Sequence, residues 1–206
     1  CGYKSVEKAI MDQRVILSSR DLGVMLSGSF DKEKNFGYYL MIGNGRGARL
    51  ENNKYKKFYG TLFGNFLNKK IIVSVYSDFE PYGKPYGISQ SKTSLQTFIG
   101  YKSDSFVGGV ETFAQIQENF LITTTIAANL DIVPFGISAF LTEIISDKIK
   151  LFGRYDFFNP DTRNSSTGFN QMFVTAGLDY MPQKNIHIMP NIWLNGYSAK
   201  HSQTIK

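Results

Sequence analysis

The chain has 206 residues, with 23 Lys and Arg against 17 Asp and Glu, a formal charge of +6, and 42% hydrophobic and 15% aromatic residues. One domain fits that length. The single cysteine, Cys1, excludes an internal disulfide framework, and the two histidines, His187 and His201, exclude a zinc constellation. No apolar run reaches the roughly 18 residues of a membrane-spanning helix, the most apolar stretch (120–141) being interrupted by Asn129, Asp131 and Pro134.

In chain order, residues 1–20 (CGYKSVEKAIMDQRVILSSR) contain the one expected helix, about Val6 to Leu17, with Ser5 as its N-cap. The opening Cys-Gly matches the start of a mature lipoprotein, but the expectation is that the sequence begins inside a longer chain. Strand patterning starts at 22–30 (LGVMLSGSF) and continues at 36–45 (FGYYLMIGNG) beyond the turn DKEKN. A glycine-rich basic loop, GNGRGARLENNK, leads to 55–67, where Phe58, Gly60, Leu62, Gly64 and Phe66 alternate with Lys57, Tyr59, Thr61, Phe63 and Asn65. The turn NKK precedes 71–79, and EPYGKPYGISQSK reads as a long loop. Runs 93–101 and 105–117 form a hairpin across KSD. The stretch 119–134, which contains the apolar connection FLITTTIAANLDIVP, takes no assigned state, and 133–146 is the next strand.

Residues 148–198 hold three further runs of about ten residues, each apolar at every second position. Ile149, Leu151, Gly153, Tyr155 and Phe157 oppose Lys150, Phe152, Arg154 and Asp156. Val174, Ala176, Leu178 and Tyr180 oppose Thr175, Gly177 and Asp179. Ile188, Pro190, Ile192 and Leu194 oppose His187, Met189, Asn191, Trp193 and Asn195. A period of two places alternate side chains on opposite faces of a strand. Long strands with one apolar and one charged face, joined by connections that alternate short and long, are the pattern of a transmembrane β-barrel. A soluble β-sandwich with its apolar face inward is the competing architecture. The expected fold is therefore all-β: a single antiparallel transmembrane β-barrel domain over 1–206, with a short helix or loop at 1–20, about ten meander strands over 21–198, and a loop or tail at 199–206.

The segments SRDLGVMLSGSF, KYKKFYG, GRYDFF followed by NPD, and VTAGLDYMP continuing into IMPNIWLNGY resemble the porins of Bacteroidetes and related Gram-negative bacteria, in the broad phosphate-selective porin group. The resemblance runs over residues 2–198 and rests on the order and spacing of strand-and-turn patterns. It implies single-chain barrels of roughly 16 strands, usually trimeric, so this chain is expected to be the C-terminal part of a larger barrel. HSQTIK at its end lacks the aromatic-terminated strand of that family.

The resemblance and the alternation together imply an outer-membrane porin passing small solutes or ions by passive diffusion. The alternative is a non-conducting outer-membrane barrel serving as a partner in a larger assembly. No enzymatic activity, cofactor or metal is expected. His187 and Asn191 share a face but sit about 13 Å apart at the strand rise, with no serine beside His187. Asp156, Asn159 and Asp161 lack the spacing of a calcium loop, and GNGRG lacks the Gly-Lys-Ser/Thr ending of a phosphate-cradling loop. The expected lumen-lining residues are Lys57, Asp78, Glu111, Lys150, Arg154, Asp156, Asp179 and Trp193, with Lys102 and His187 at the same parity. Four acids against four permanent bases form no basic ladder, which argues against carrying over phosphate selectivity. Arg154 and Asp156 are expected to pair across the wall. Arg46, Arg49 and Lys54 form a candidate loop contact for lipopolysaccharide phosphates or incoming anions. Expected partners are membrane lipids, lipopolysaccharide and small solutes, with a homotrimer or larger outer-membrane complex and no nucleic acid.

Overall fold

In the computed structural model, residues 8–47, 49–51, 53–122, 129–163 and 170–198 are described. The chain is all-β, one antiparallel sheet of twelve strands: β1 (Gly23–Ser29), β2 (Phe36–Gly43), β3 (Lys57–Phe66), β4 (Ile71–Gly83), β5 (Gln90–Lys102), β6 (Phe106–Ile122), β7 (Asn129–Ile132), β8 (Phe135–Ser146), β9 (Ile149–Asn159), β10 (Gln171–Gln183), β11 (Ile186–Ile188) and β12 (Asn191–Tyr197). From β1 to β6 and from β8 to β11 each strand pairs with the next, the meander that short turns produce, while β7 pairs with β6 and β12 with β10.

The twelve strands fill ten places across the sheet. β7 and β8 lie end to end along β6, with Ile132 opposite Gln117 and Phe135 opposite Ala114. β11 and β12 lie end to end along β10. Each break falls at a proline, Pro134 or Pro190, which has no N–H to give the ladder. Their carbonyls still accept, from the Gln115 and Leu178 amides at 3.0 and 3.1 Å. The third ten-residue run of the sequence is thus two strands, because Pro190 breaks it.

Other boundaries also differ from expectation. The predicted helix over Val6–Leu17 is only α1 (Ile10–Gln13) among the described residues, and Ser5 lies outside them. Val15, at φ 57°, turns the backbone left-handed and ends it. The expected long loop EPYGKPYGISQSK is mostly strand: β4 runs on to Gly83, β5 begins at Gln90, and a single 3₁₀ turn at Pro85–Gly87 joins them. The unassigned 119–134 carries the end of β6 and the returning β7, with 123–128 outside the described residues.

Burial is inverted relative to a soluble protein. The buried polar set includes Lys57, Asp78, Glu80, Ser94, Gln115, Ser138, Asp156 and Asp179, all on one face. The opposite face exposes Leu26, Leu40, Leu62, Val75, Ile99, Leu141, Leu151, Val174 and Leu194. Register lines up these faces from strand to strand: Leu26, Leu40 and Gly60 are directly opposite one another, as are Ala139, Tyr155, Val174 and Leu194.

The polar face is concave. Lys8, in the segment preceding β1, lines one cavity with Lys57 of β3, and its carbonyl accepts a hydrogen bond from Arg154 of β9. Those strands are five ladder spacings apart, about 24 Å in a flat sheet, so the sheet curls around the segment. Among the described residues no ladder joins β1 to β12, and both edge strands are exposed.

Candidate functional site

The connections alternate between the two ends of the sheet. Turns 30–35, 67–70, 103–105, 147–148 and 184–185 lie at one end of the sheet, and the described parts of the segments joining β2 to β3, β4 to β5 and β9 to β10 lie at the other. At a short turn, the Asp31 carboxylate accepts the backbone amides of Phe36 (2.8 Å) and Asn35 (2.9 Å), which holds it below the ordinary carboxylate range.

Residues 8–20 form a strap across the concave face at the end of the long connections. Ile10 and Met11 are buried against Phe113 of β6 and Phe158 of β9, with Ile16 and Leu17 alongside. The Arg14 guanidinium donates to Gln171 of β10 and sits over the Phe158 ring at 5.5 Å. The Gln115 amide donates to Ser94 Oγ (2.8 Å) and also reaches the Ile16 carbonyl at 3.5 Å. Strands from both sides of the sheet therefore hold the strap.

The expected lumen residues fall on this concave face. Arg154 grips Asp156 as a fork, Nε to Oδ1 at 2.8 Å and Nη2 to Oδ2 at 2.7 Å, with Asp156 fully buried. Its remaining arm holds the strap through the Lys8 carbonyl, so the pair braces wall and strap together. Lys57 lies 3.3 Å from Asp78 and 3.6 Å from Glu80, all three buried. The Tyr76 hydroxyl donates to Asp78 (2.5 Å), and the Tyr59 hydroxyl donates to Asp21 (2.5 Å), which also accepts the Gly45 amide.

Glu111 faces inward from β6, its Oε1 buried without a hydrogen-bond partner among the described residues. Asp179 turns to His187 Nδ1 at 2.7 Å, which leaves Lys150, directly opposite it in register, without an ion pair among the described residues. Trp193 meets the Phe173 ring edge-on at 5.7 Å and stays half exposed on edge strand β12. Lys102 ends β5 exposed at the short-turn end.

A cavity of about 420 Å³ opens between the strap, the loop after β2 and the floor of β3–β5. Lys8, Arg20, Arg46, Arg49, Lys57 and Lys92 line it against only Asp12 and Glu80. Arg46 and Arg49 of the candidate basic loop point here; Lys54 is not part of the lining, and Lys56 pairs with Glu51 instead. Gly45, at φ +72°, lets the loop descend onto Glu80, since a Cβ there would lie 2.7 Å from Glu80 Oε1. Sequence reasoning missed Glu80 and Lys92 because it ended β4 at 79 and began β5 only at 93. The parity of Asp78, continued two residues, marks Glu80, which sits opposite Lys92 in register.

No protein-family model matches the chain, and neither curated proteins nor solved structures give a match. Among the described residues no group of His, Cys, Asp or Glu is arranged to hold a metal ion.

Proposed function

We propose that this chain forms part of the wall of a water-filled channel in a bacterial outer membrane, through which small solutes and ions diffuse down their gradients. One observation carries the reading: the sheet buries charged and polar side chains on its concave face and leaves large aliphatic side chains uncovered across the convex face. In water that arrangement wastes the hydrophobic effect, whereas in a bilayer it is the favourable one. Unpaired backbone groups are intolerable in hydrocarbon. The channel therefore requires further strands, from this chain or another copy, paired along β1 and β12. The resemblance to Bacteroidetes porins, with their larger trimeric barrels, fits that requirement.

The long connections would face outward, presenting the basic loop to lipopolysaccharide and to incoming solutes. Charges deeper on the concave face are largely paired, Lys57 with Asp78 and Glu80 and Arg154 with Asp156, so ion preference would be weak. A second reading, a non-conducting barrel in a larger assembly, is favoured by the strap, which occupies part of the concave face with buried Ile10 and Met11. Conductance across planar bilayers separates the two. The channel reading expects stepwise openings with a small reversal potential in a salt gradient. A folded, inserted protein with no conductance would leave the assembly partner as the better account.

A further inference from the structure

We infer that the cavity beneath the strap is a binding site for an organic anion of monosaccharide size, a carboxylate or phosphate carried on an apolar or ring-shaped body. This inference rests on the channel reading and names a solute class that such a channel would retain at its mouth.

The cations around the cavity are not equivalent. Lys57 is committed to Asp78 and Glu80, and the Lys92 ammonium sits over the rings of Tyr82 (4.5 Å) and Phe120 (4.8 Å). Arg20, Arg46 and Arg49 form no ion pair among the described residues. Arg46 Nε is buried without a hydrogen-bond partner among the described residues, an unsatisfied donor in the wall. A guanidinium presents a planar fork that matches carboxylate and phosphate oxygens and holds its charge at any working pH. Three of them around one cavity specify an anion.

Size and lining then specify the body. About 420 Å³ is many times the space a mineral ion needs, and lies within the range of small-molecule sites, roughly 300–1,000 Å³. Beside Asp12, Ser18 and Glu80, the rest of the wall offers an apolar and aromatic part, Val15, Ile16 and Leu17 on the strap and Tyr59 and Tyr82 on the floor. Val15 is held at φ 57°, a conformation that β-branched residues avoid, and the residue is 87% exposed at the cavity edge. A ligand with an anionic head toward the arginines and a ring or hydrocarbon body toward this wall satisfies both halves. A bare oxyanion satisfies only one.

The test is calorimetric titration of the purified full chain in detergent with D-glucuronate, D-glucose and inorganic phosphate, each at low and high salt, repeated with Arg46→Gln/Arg49→Gln and separately with Arg20→Gln. Glucuronate is expected to bind at least tenfold more tightly than glucose and than phosphate, and either variant is expected to weaken it at least fivefold. Phosphate binding as tightly as glucuronate would overturn the proposal in favour of a mineral-anion site. Glucose binding equally well would overturn the role of the arginines, and so would variants that bind glucuronate unchanged. If glucuronate does not bind a protein that conducts, this inference fails and the channel reading stands. If it binds a protein that does not conduct, the channel reading fails and the site stands.

Discussion

Lys57 shows how a charged side chain is kept on the concave face. Its ammonium has almost no contact with solvent and depends on Asp78 and Glu80 for compensation. Removing one member of a buried pair typically costs about 3–5 kcal/mol, because its partner is left charged and unsolvated. Lys57→Met is therefore expected to lower stability by about that amount in urea unfolding of the lipid-reconstituted protein. Much of the loss should return when Asp78→Asn is added. Arg154 is a second such residue, and Arg154→Lys keeps the charge but loses the fork and the bond to Lys8. That variant is expected to expose the strap to limited proteolysis while leaving the strand content unchanged by circular dichroism. Asp31, in its exposed turn, supplies a pH dependence. Its folded pKa is depressed, so its contribution is present above the ordinary carboxylate range and is lost as pH falls through the lowered value. A lower protection factor at Asn35 and Phe36 in acid, relative to the intrinsic exchange rate, is the expected signature, and the change should be absent in Asp31→Asn, where those amides are already less protected.

At the level of the strand, β3 separates the two environments. Leu62 is exposed on the convex face near the middle of the strand, and Thr61 beside it faces inward. An arginine at the lipid midplane of a barrel costs about 2–4 kcal/mol, so Leu62→Arg is expected to destabilise by that order and Thr61→Arg by far less. A sheet standing in water would tolerate Leu62→Arg freely. Packing on the concave side is equally specific: a Cβ on Gly136 would come within 2.3 Å of the Phe113 ring and 3.1 Å of Ile10. Gly136→Ala should cost about 1–3 kcal/mol as an overpacked contact and loosen the strap.

The two faces of β3, β9 and β10 were legible in the sequence because alternation is a local property that the pleat converts directly into sidedness. The breaks at Pro134 and Pro190, the shortness of α1 and the meeting of Arg46 and Arg49 with Arg20 were not legible. A proline can end a strand or merely interrupt it, and the ladder partner decides which. The strap's backbone is shaped by where Ile10, Met11, Ile16 and Leu17 find cover, which involves β6 and β9, far away in sequence.

For the whole molecule, the concave and convex faces make opposite demands on solvent, and the account stands on which face meets lipid. The most direct measurement is cysteine accessibility along β9 in proteoliposomes. Single cysteines at 150 through 157, with Cys1 replaced by Ser, would be challenged with a membrane-impermeant maleimide and with a lipid-soluble one. The account predicts a period of two: the water-soluble reagent favours positions 150 and 152, and also 154 and 156 once the strap's hold is loosened. The lipid-soluble reagent favours 151, 153, 155 and 157. Uniform labelling of 151, 153, 155 and 157 by the water-soluble reagent, with no preference for lipid, would contradict a membrane-spanning wall and return the sheet to an aqueous setting.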